Sequence, residues 1–360
     1  LGGYLKGILF HWIYTYPIVK PTFKLNRESM LGIDIGSYSI KIVQLTGTCL
    51  QMAEEIPYPG WPNQNDGDVR KVLAESVARM ECEKEEVWSC LAGTPVITHI
   101  ASFPPMSPDE LDGAVRLEAE QFVSQDWEQI DFDYEVIDSE REDEIQVLFV
   151  AAPREMSDQK LALFRESGLY CRGITVEALA LARSFTNSVS KDKQNDTTIL
   201  VAIGASKTNI VLFNGERPTI LRDISFGGND ITECIAKEFS VDFKEAEKIK
   251  RQQNTSEMRL KDCVERSLQP LTRQLSRTLE YGTRQTGASG NDMAIVLYGG
   301  GSLAPGLPKL LADNFGVPVR YSNPFAGLEA ECVIPRDVRI QSRYGLAIGC
   351  ALIGEMQADV

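Results

Sequence analysis

A duplicated, two-lobed α/β protein carrying a small inserted α/β module is the fold class this sequence predicts, on three observations. Residues 32–41 (GIDIGSYSIK) align without a gap on residues 200–209 (LVAIGASKTN), with Gly36 on Gly204 and Ile42-Val43 on Ile210-Val211. Each copy reads as an apolar strand, a tight Gly turn with small hydroxyl residues, and a second apolar strand. Downstream of each copy the same elements recur in the same order: a third strand, a helix, a buried strand. Finally, 360 residues exceed one ordinary core. A repeat of about half the chain means duplicated lobes and not a solenoid. One position breaks the parallel, because Asp34 falls opposite Ala202.

From Met30 the elements come in turn. LGIDIG and IKIVQL form the first strand pair, and a third strand lies near MAEEIPY. DVRKVLAESVARM spaces Val69, Val72, Leu73 and Val77 as one helical face, and VWSCLAG is a strand. SPDELDGAVRLEAEQFV opens on Pro, Asp and Glu, the residues a first helical turn prefers. FDYEVID and IQVLFVAAP read as strands joined by the acidic turn SERED, and a helix over MSDQKLALFRESG stops at Gly168. In the second half TTILVAIG and NIVLF form a hairpin, RPTILRDIS a third strand, DITECIAKEF a helix and MAIVLYGGG the buried strand. These elements divide the chain into an extension (1–29), first-lobe core (30–105), inserted module (106–172), a helix with the polar linker KDKQND (173–196), second-lobe core (197–227), a helical insertion (228–290) and the remaining second-lobe core (291–360).

Composition narrows the classes of function. Acidic residues outnumber basic ones 51 to 37, for a net charge of −14, so a nucleic-acid partner is not expected. Eight scattered cysteines without a C-x-x-C pair read as free thiols of a reducing compartment, not as a disulfide frame or a zinc site. Two histidines, His11 and His99, leave no material for a His-based triad. The apolar stretch 7–19 is too short to span a bilayer and lacks a small-residue cleavage site. With Met30 standing directly before the first strand, residues 1–29 read as a mis-set start or a disordered extension. An interfacial anchor, with Lys6, Lys20, Lys24 and Arg27 on anionic lipid, is the other reading.

The Gly turns have the form of phosphate cradles. Gly36 lets backbone approach an anion, Ser37 and Ser39 add hydroxyls, and Lys41 adds a charge. Taken alone, either turn is equally an ordinary hairpin turn. A third Gly stretch, YGGGSLAPGL, comes after a buried strand and suits a flat ring or a phosphate lying on bare backbone. No P-loop motif is present, and LYGGGS lacks dinucleotide-fold spacing.

Two such turns and a third Gly loop, in this order, resemble the actin-like ATPases of ribonuclease H-like fold, and within them the PilM family of type IV pilus assembly proteins. The resemblance covers about residues 30–354 and is carried by LGIDIGSYSIKIVQL, RLEAEQFVSQDWEQIDFDYEV, TVEALALAR, RDISFGGNDIT and YGGGSLAPGLPKLL. It implies ATP clasped between lobes. The first phosphate loop would hold Gly36, Ser37, Tyr38, Ser39 and Lys41, and the second Gly204, Ala205, Ser206, Thr208 and Asn209. Gly299, Gly300, Gly301 and Ser302 would form the adenosine loop. AEKIK would place Glu247 and Lys250 at the base or ribose, although such a pair is equally a solvated one on a surface helix. TVEALALAR and RYGLAIGCAL resemble two crossing hinge helices, whose small residues Ala178, Ala180, Ala182, Gly345, Ala347 and Gly349 permit close approach.

The same resemblance implies Mg²⁺ held by loop aspartates, with a carboxylate near the first hinge helix placing the attacking water. Asp34 (metal and catalysis) and Glu177 (catalysis) are present, while Ala202 and Thr175 stand where relatives carry carboxylates. Nucleotide binding through backbone N–H groups survives those losses better than hydrolysis does. The implied function is a cytoplasmic ATP-binding scaffold, peripheral to the inner membrane through its partner. It would hold the cytoplasmic tail of a PilN-like bitopic protein near Phe122 and Trp127, residues that serve equally as module core. The Pro that relatives carry after this segment is absent from FVSQDWEQ. Other pilus assembly proteins are expected partners, and a homo-oligomer stays open. Two rivals remain, an FtsA-like filament protein and a sugar kinase-like phosphotransferase. The first is expected to carry a C-terminal amphipathic helix, for which the six residues given after Gly354 leave no room, and the second needs a cleft base.

Overall fold

The computed structural model describes residues 26–63, 65–82, 85–93, 95–137, 143–189, 197–252, 258–286 and 293–358. The apolar stretch 7–19, the linker KDKQND and most of the turn SERED lie outside the described residues. The chain divides into two compact units. One runs to Ser184 and adds Leu328–Val333 and Leu346–Val360; the other is Phe185–Gly327 with Ile334–Gly345.

In the first unit β1 (Asn26–Ile35), β2 (Ser39–Thr46) and β3 (Cys49–Pro57) form an antiparallel meander. β4 (Glu85–Leu91) and β8 (Tyr170–Val176) extend it in parallel beyond β1, and β14 (Glu329–Ala330) pairs with β3. One face is sealed by α1 (Asp66–Arg79) and α3 (Arg154–Glu166), which bring Leu73, Val77 and Phe164 against Leu31, Ile33 and Ile42. Each such side chain contributes roughly 1.5–3 kcal/mol. Gly168, at φ +81°, turns the chain out of α3 as the sequence predicts.

Three boundaries differ from the expected ones. Leu328–Val333 and Leu346–Val360, expected among the second-lobe residues 291–360, fall in the first unit, where Cys350 and Ile353 pack with Met30 and Trp88. β1 begins at Asn26, with Asn26 paired to Glu85, and the buried Ser29 hydroxyl donates to Glu85 at 2.7 Å, so residues 26–29 belong to the core sheet and not to an extension. The inserted module takes its first strand from before residue 106. Its antiparallel sheet has the order β5 (Ile97–Phe103), β7 (Ile145–Pro153), β6 (Ile130–Ile137), and is covered by α2 (Pro108–Glu120). Ser107 and Glu110 form a reciprocal cap at the start of α2.

The second unit repeats the plan. β9 (Thr197–Ile203), β10 (Thr208–Asn214) and β11 (Arg217–Ile224) form the meander, and β12 (Met293–Tyr298) and β13 (Val319–Tyr321) continue in parallel. Between β11 and β12 lie α5 (Gly228–Phe239), α6 (Phe243–Arg251), α7 (Met258–Ser267) and α8 (Gln269–Thr286), with α9 (Leu307–Phe315) after β12. Ile231, Ile235, Leu260, Val264, Leu271 and Leu275 bury their helix faces on Ile199, Val201 and Leu212.

Candidate nucleotide-binding site

The two Gly turns are alike in their bonding. Gly36 N–H donates to Ser39 O at 3.1 Å, and Gly204 N–H donates to Lys207 O at 2.8 Å. Each closes a hairpin whose strands pair in matching register, Asp34 opposite Lys41 and Ala202 opposite Asn209.

Around the first turn the charges are sheltered. Asp34 is buried, and Lys41 Nζ pairs with its Oδ2 at 3.1 Å. Lys41 lies opposite Glu55 of β3, and Glu55 accepts from the buried Ser39 hydroxyl at 2.7 Å. Ser39 therefore spends its proton inside the sheet. Tyr38 stacks edge-on against Trp61 at 5.2 Å. β1 and β4 bring a third group to Asp34, and β8 delivers a fourth at the start of α4 (Glu177–Ser188). Asp34, Cys90 and Glu177, all buried, place ligand atoms within 4.8 Å of one another. The two carboxylates are the hard donors Mg²⁺ takes, whereas a thiol is a soft one; the oxygens fit that ion and the sulfur does not. Thr175, on β8, is buried two residues before Glu177.

Around the second turn bare backbone converges. Gly228 N–H donates to Gly204 O at 2.9 Å, and Asn229 N–H to Ala205 O at 2.7 Å. A Cβ on Gly227 would meet Ala205 O at 2.5 Å, and one on Gly301 would meet Gly204 O at 2.6 Å. Gly299, at φ +82°, could not carry a Cβ without striking Ile203 O. Three segments thus approach closely because glycines leave room for backbone: the turn, the start of α5, and the loop after β12. Two hydroxyls of these loops donate to backbone. Thr208 donates to Phe226 O at 2.8 Å and Ser302 to Gly299 O at 2.6 Å, both residues buried. Ser206 and Gly300 are exposed.

Glu247 and Lys250 are buried, which removes the reading as a solvated surface pair. Lys250 Nζ meets Glu247 at 2.5 Å, Thr232 Oγ1 at 2.6 Å and Gly228 O at 2.9 Å, employing all three ammonium protons. Burial works against the Glu247 charge, but Lys250, Thr232 and Arg251 together hold its carboxyl below the usual range. This network ties α6 to the start of α5, and so to the second turn.

Sequence reading missed Glu55, Cys90, Gly227, Gly228, Thr232 and Asp223. Asp223 Oδ1 accepts from Asn209 Nδ2 at 2.5 Å, and Asp223 lies opposite Asn209 in the sheet. The repeat itself held the signal, since Glu55 and Asp223 occupy matched places in its two copies. At the module, Trp127 packs on Phe132 at 5.0 Å with Arg116 over its ring, as part of the module core. Phe122 is exposed and rests on His99 at 4.4 Å, and Leu117 on α2 is exposed as well. Among the described residues no helix is long and apolar enough to cross a membrane.

Comparison with known proteins agrees with this architecture. The family model described as "Type IV pilus assembly protein PilM" matches residues 32–355. The solved "PilM-PilN type IV pilus biogenesis complex" superimposes with a TM-score of 0.77 at 27% identity, covering 91% of this chain and 98% of the other. MreB5 of Spiroplasma citri bound to ADP (TM-score 0.52, 10% identity, 92% and 98% covered) and the ethanolamine utilization protein EutJ of Carboxydothermus hydrogenoformans (0.51, 15%, 91% and 90%) share the fold alone. Among curated proteins, the cell division protein FtsA of Bacillus subtilis (strain 168) is 23% identical over 206 residues; the match spans 50% of this chain and 45% of that relative's length. The duplicated sheets, the inserted module and the paired Gly turns are those of the actin-like α/β fold, and the chain belongs to the PilM family of type IV pilus assembly proteins.

Proposed function

We propose that this chain binds ATP and acts as a scaffold in type IV pilus assembly or a related secretion machinery. It holds the cytoplasmic tail of a PilN-like inner-membrane protein and hydrolyses ATP weakly or not at all. The observation that carries the reading is the family match across residues 32–355, together with likeness to the solved PilM–PilN complex at 27% identity. Membrane attachment is then indirect, through the partner.

Nucleotide binding draws support from backbone that glycine leaves bare at Gly36, Gly204, Gly228 and Gly301. Mg²⁺, when bound, would neutralise phosphate charge, and Asp34 and Glu177 are the residues to hold it, directly or through water. Weak turnover is expected from Ala202, whose methyl cannot orient water, and from Thr175. Loss of one preorganised electrostatic element commonly costs on the order of 10²–10³ in rate. The partner tail fits the module near Phe122, whose ring is exposed. ATP affinity with and without Mg²⁺, single-turnover phosphate release, and titration of tail peptides followed by tryptophan fluorescence test the reading. Tight ATP binding with hydrolysis near background, and saturable tail binding, are expected. Fast Mg²⁺-dependent hydrolysis would overturn the reading of weak turnover, and no binding by any tail would overturn the scaffold.

A further inference from the structure

The eight cysteines are free thiols, and one pair of them is set apart by geometry and access. Cys234 of α5 and Cys263 of α7 hold their sulfurs 2.7 Å apart, inside ordinary van der Waals contact, and Cys234 Sγ also lies 3.3 Å from Cys263 O. Cys234 is partly exposed while Cys263 is buried behind it. The helices are clamped one turn further along. Glu238, four residues after Cys234, binds Arg259 at 3.0 Å and Arg266 at 2.5 Å, both from α7. The ion pairs hold the two helix faces in register, so the sulfurs meet without main-chain movement. Burial pushes the Cys263 thiol up to about 12, with Cys234 adding to the rise and Arg266 opposing it. Cys263 is thus a poor first nucleophile, and Cys234 is the thiol a small oxidant reaches. Cys90 and Cys350 also touch, but both are buried, with no exposed member.

We propose that Cys234 and Cys263 form an oxidisable dithiol that a peroxide converts to a disulfide joining α5 to α7. The Cys234 thiolate attacks one peroxide oxygen, breaking the O–O bond; with a proton taken up, one water leaves and Cys234 becomes a sulfenic acid. The Cys263 sulfur then attacks the Cys234 sulfur, the S–O bond breaks, and the thiol proton leaves with the hydroxyl as a second water. The peroxide is reduced by two electrons and the two thiols are oxidised by two. Because α5 begins at Gly228, bonded to Gly204, and carries Thr232 bonded to Glu247, the cross-link stiffens the helix on which the second Gly turn rests.

The test treats the full chain with hydrogen peroxide, alkylates remaining thiols under denaturing conditions, and maps peptides. A linked pair of peptides containing Cys234 and Cys263 is expected, reversed by dithiothreitol, with Cys90 and Cys350 still alkylated. Oxidation should raise the melting temperature by several degrees, a shift absent from Cys234→Ser and Cys263→Ser. Full alkylation of both residues after treatment, or Cys234 carried to sulfinic acid with no linked peptide, overturns the proposal. If both serine variants fail to fold, the wild-type peptide map alone still decides it.

Discussion

The two units build the same three-stranded meander but fill one row across it differently. In the first, Asp34, Lys41 and Glu55 lie side by side on β1, β2 and β3, a carboxylate, an ammonium and a carboxylate. In the second, the matched places hold Ala202, Asn209 and Asp223. The first row centres on a buried ion pair, and the second keeps only the third-strand acid, Asp223 at the place of Glu55. Charge on the strand that enters the Gly turn is kept in one copy, and the other keeps the turn without it. A duplicated loop can thus hold its backbone bonding while its carboxylate is absent, because the bonding belongs to the turn and the charge to a side chain.

A second difference is steric. Gly32 of β1 and Leu200 of β9 are matched, yet a side chain on Gly32 would strike Ala347 O and Ala351 of α11 (Gly345–Ala358), whereas Leu200 is buried without conflict. Exchanging them should be the harshest break of the comparison. Gly32→Leu is expected to cost about 3 kcal/mol or more by overpacking, and Leu200→Gly about 3–5 kcal/mol by the cavity left, both read from denaturant midpoints. Removing one partner of the buried pair comes next. Asp34→Ala should cost about 3 kcal/mol because Lys41 is left unpaired, and Asp34→Ala with Lys41→Asn, which copies the second row, should recover most of it. If the double variant is no more stable than the single one, the ion pair is not what distinguishes the rows.

Helix starts sharpen the comparison at smaller scale. α1 is capped by Asn65, whose Oδ1 accepts from Asp68 N–H at 3.1 Å, so Asn65→Ala should cost about 1 kcal/mol. α5 begins after Gly227, where a Cβ meets Ala205 O at 2.5 Å, so Gly227→Ala should cost more than Asn65→Ala and also weaken ATP binding. Equal losses with unchanged ATP affinity would show the glycine contact to be slack. The smallest effect concerns acid. The folded Glu247 carboxyl lies below its usual 4.5, so its contribution to stability is present above that pH and is lost as pH falls through the folded value. Glu247→Gln should flatten the stability–pH curve below about pH 4.5 while leaving its slope near neutrality unchanged.

The duplication, the turns and the helix faces were legible in the chain because they are local. Period-two and period-3.6 apolar patterns state which face is buried, and a Gly between two apolar strands states where the chain reverses. The glycines that matter at Gly227, Gly228 and Gly301 were visible as letters but not as contacts, since each is required by backbone from a distant segment. The fate of the hydroxyls on Ser39, Thr208 and Ser302 was likewise decided by what lay within 3 Å once the sheets formed. So was the burial of Glu247 with Lys250, two charges that a surface helix would have left in water. Sequence alone determined the order of strands and turns, because propensity and periodicity act over a few residues. Only the tertiary structure decided which polar groups remain available to a ligand, because a hydrogen bond is claimed by whichever partner packing brings closest.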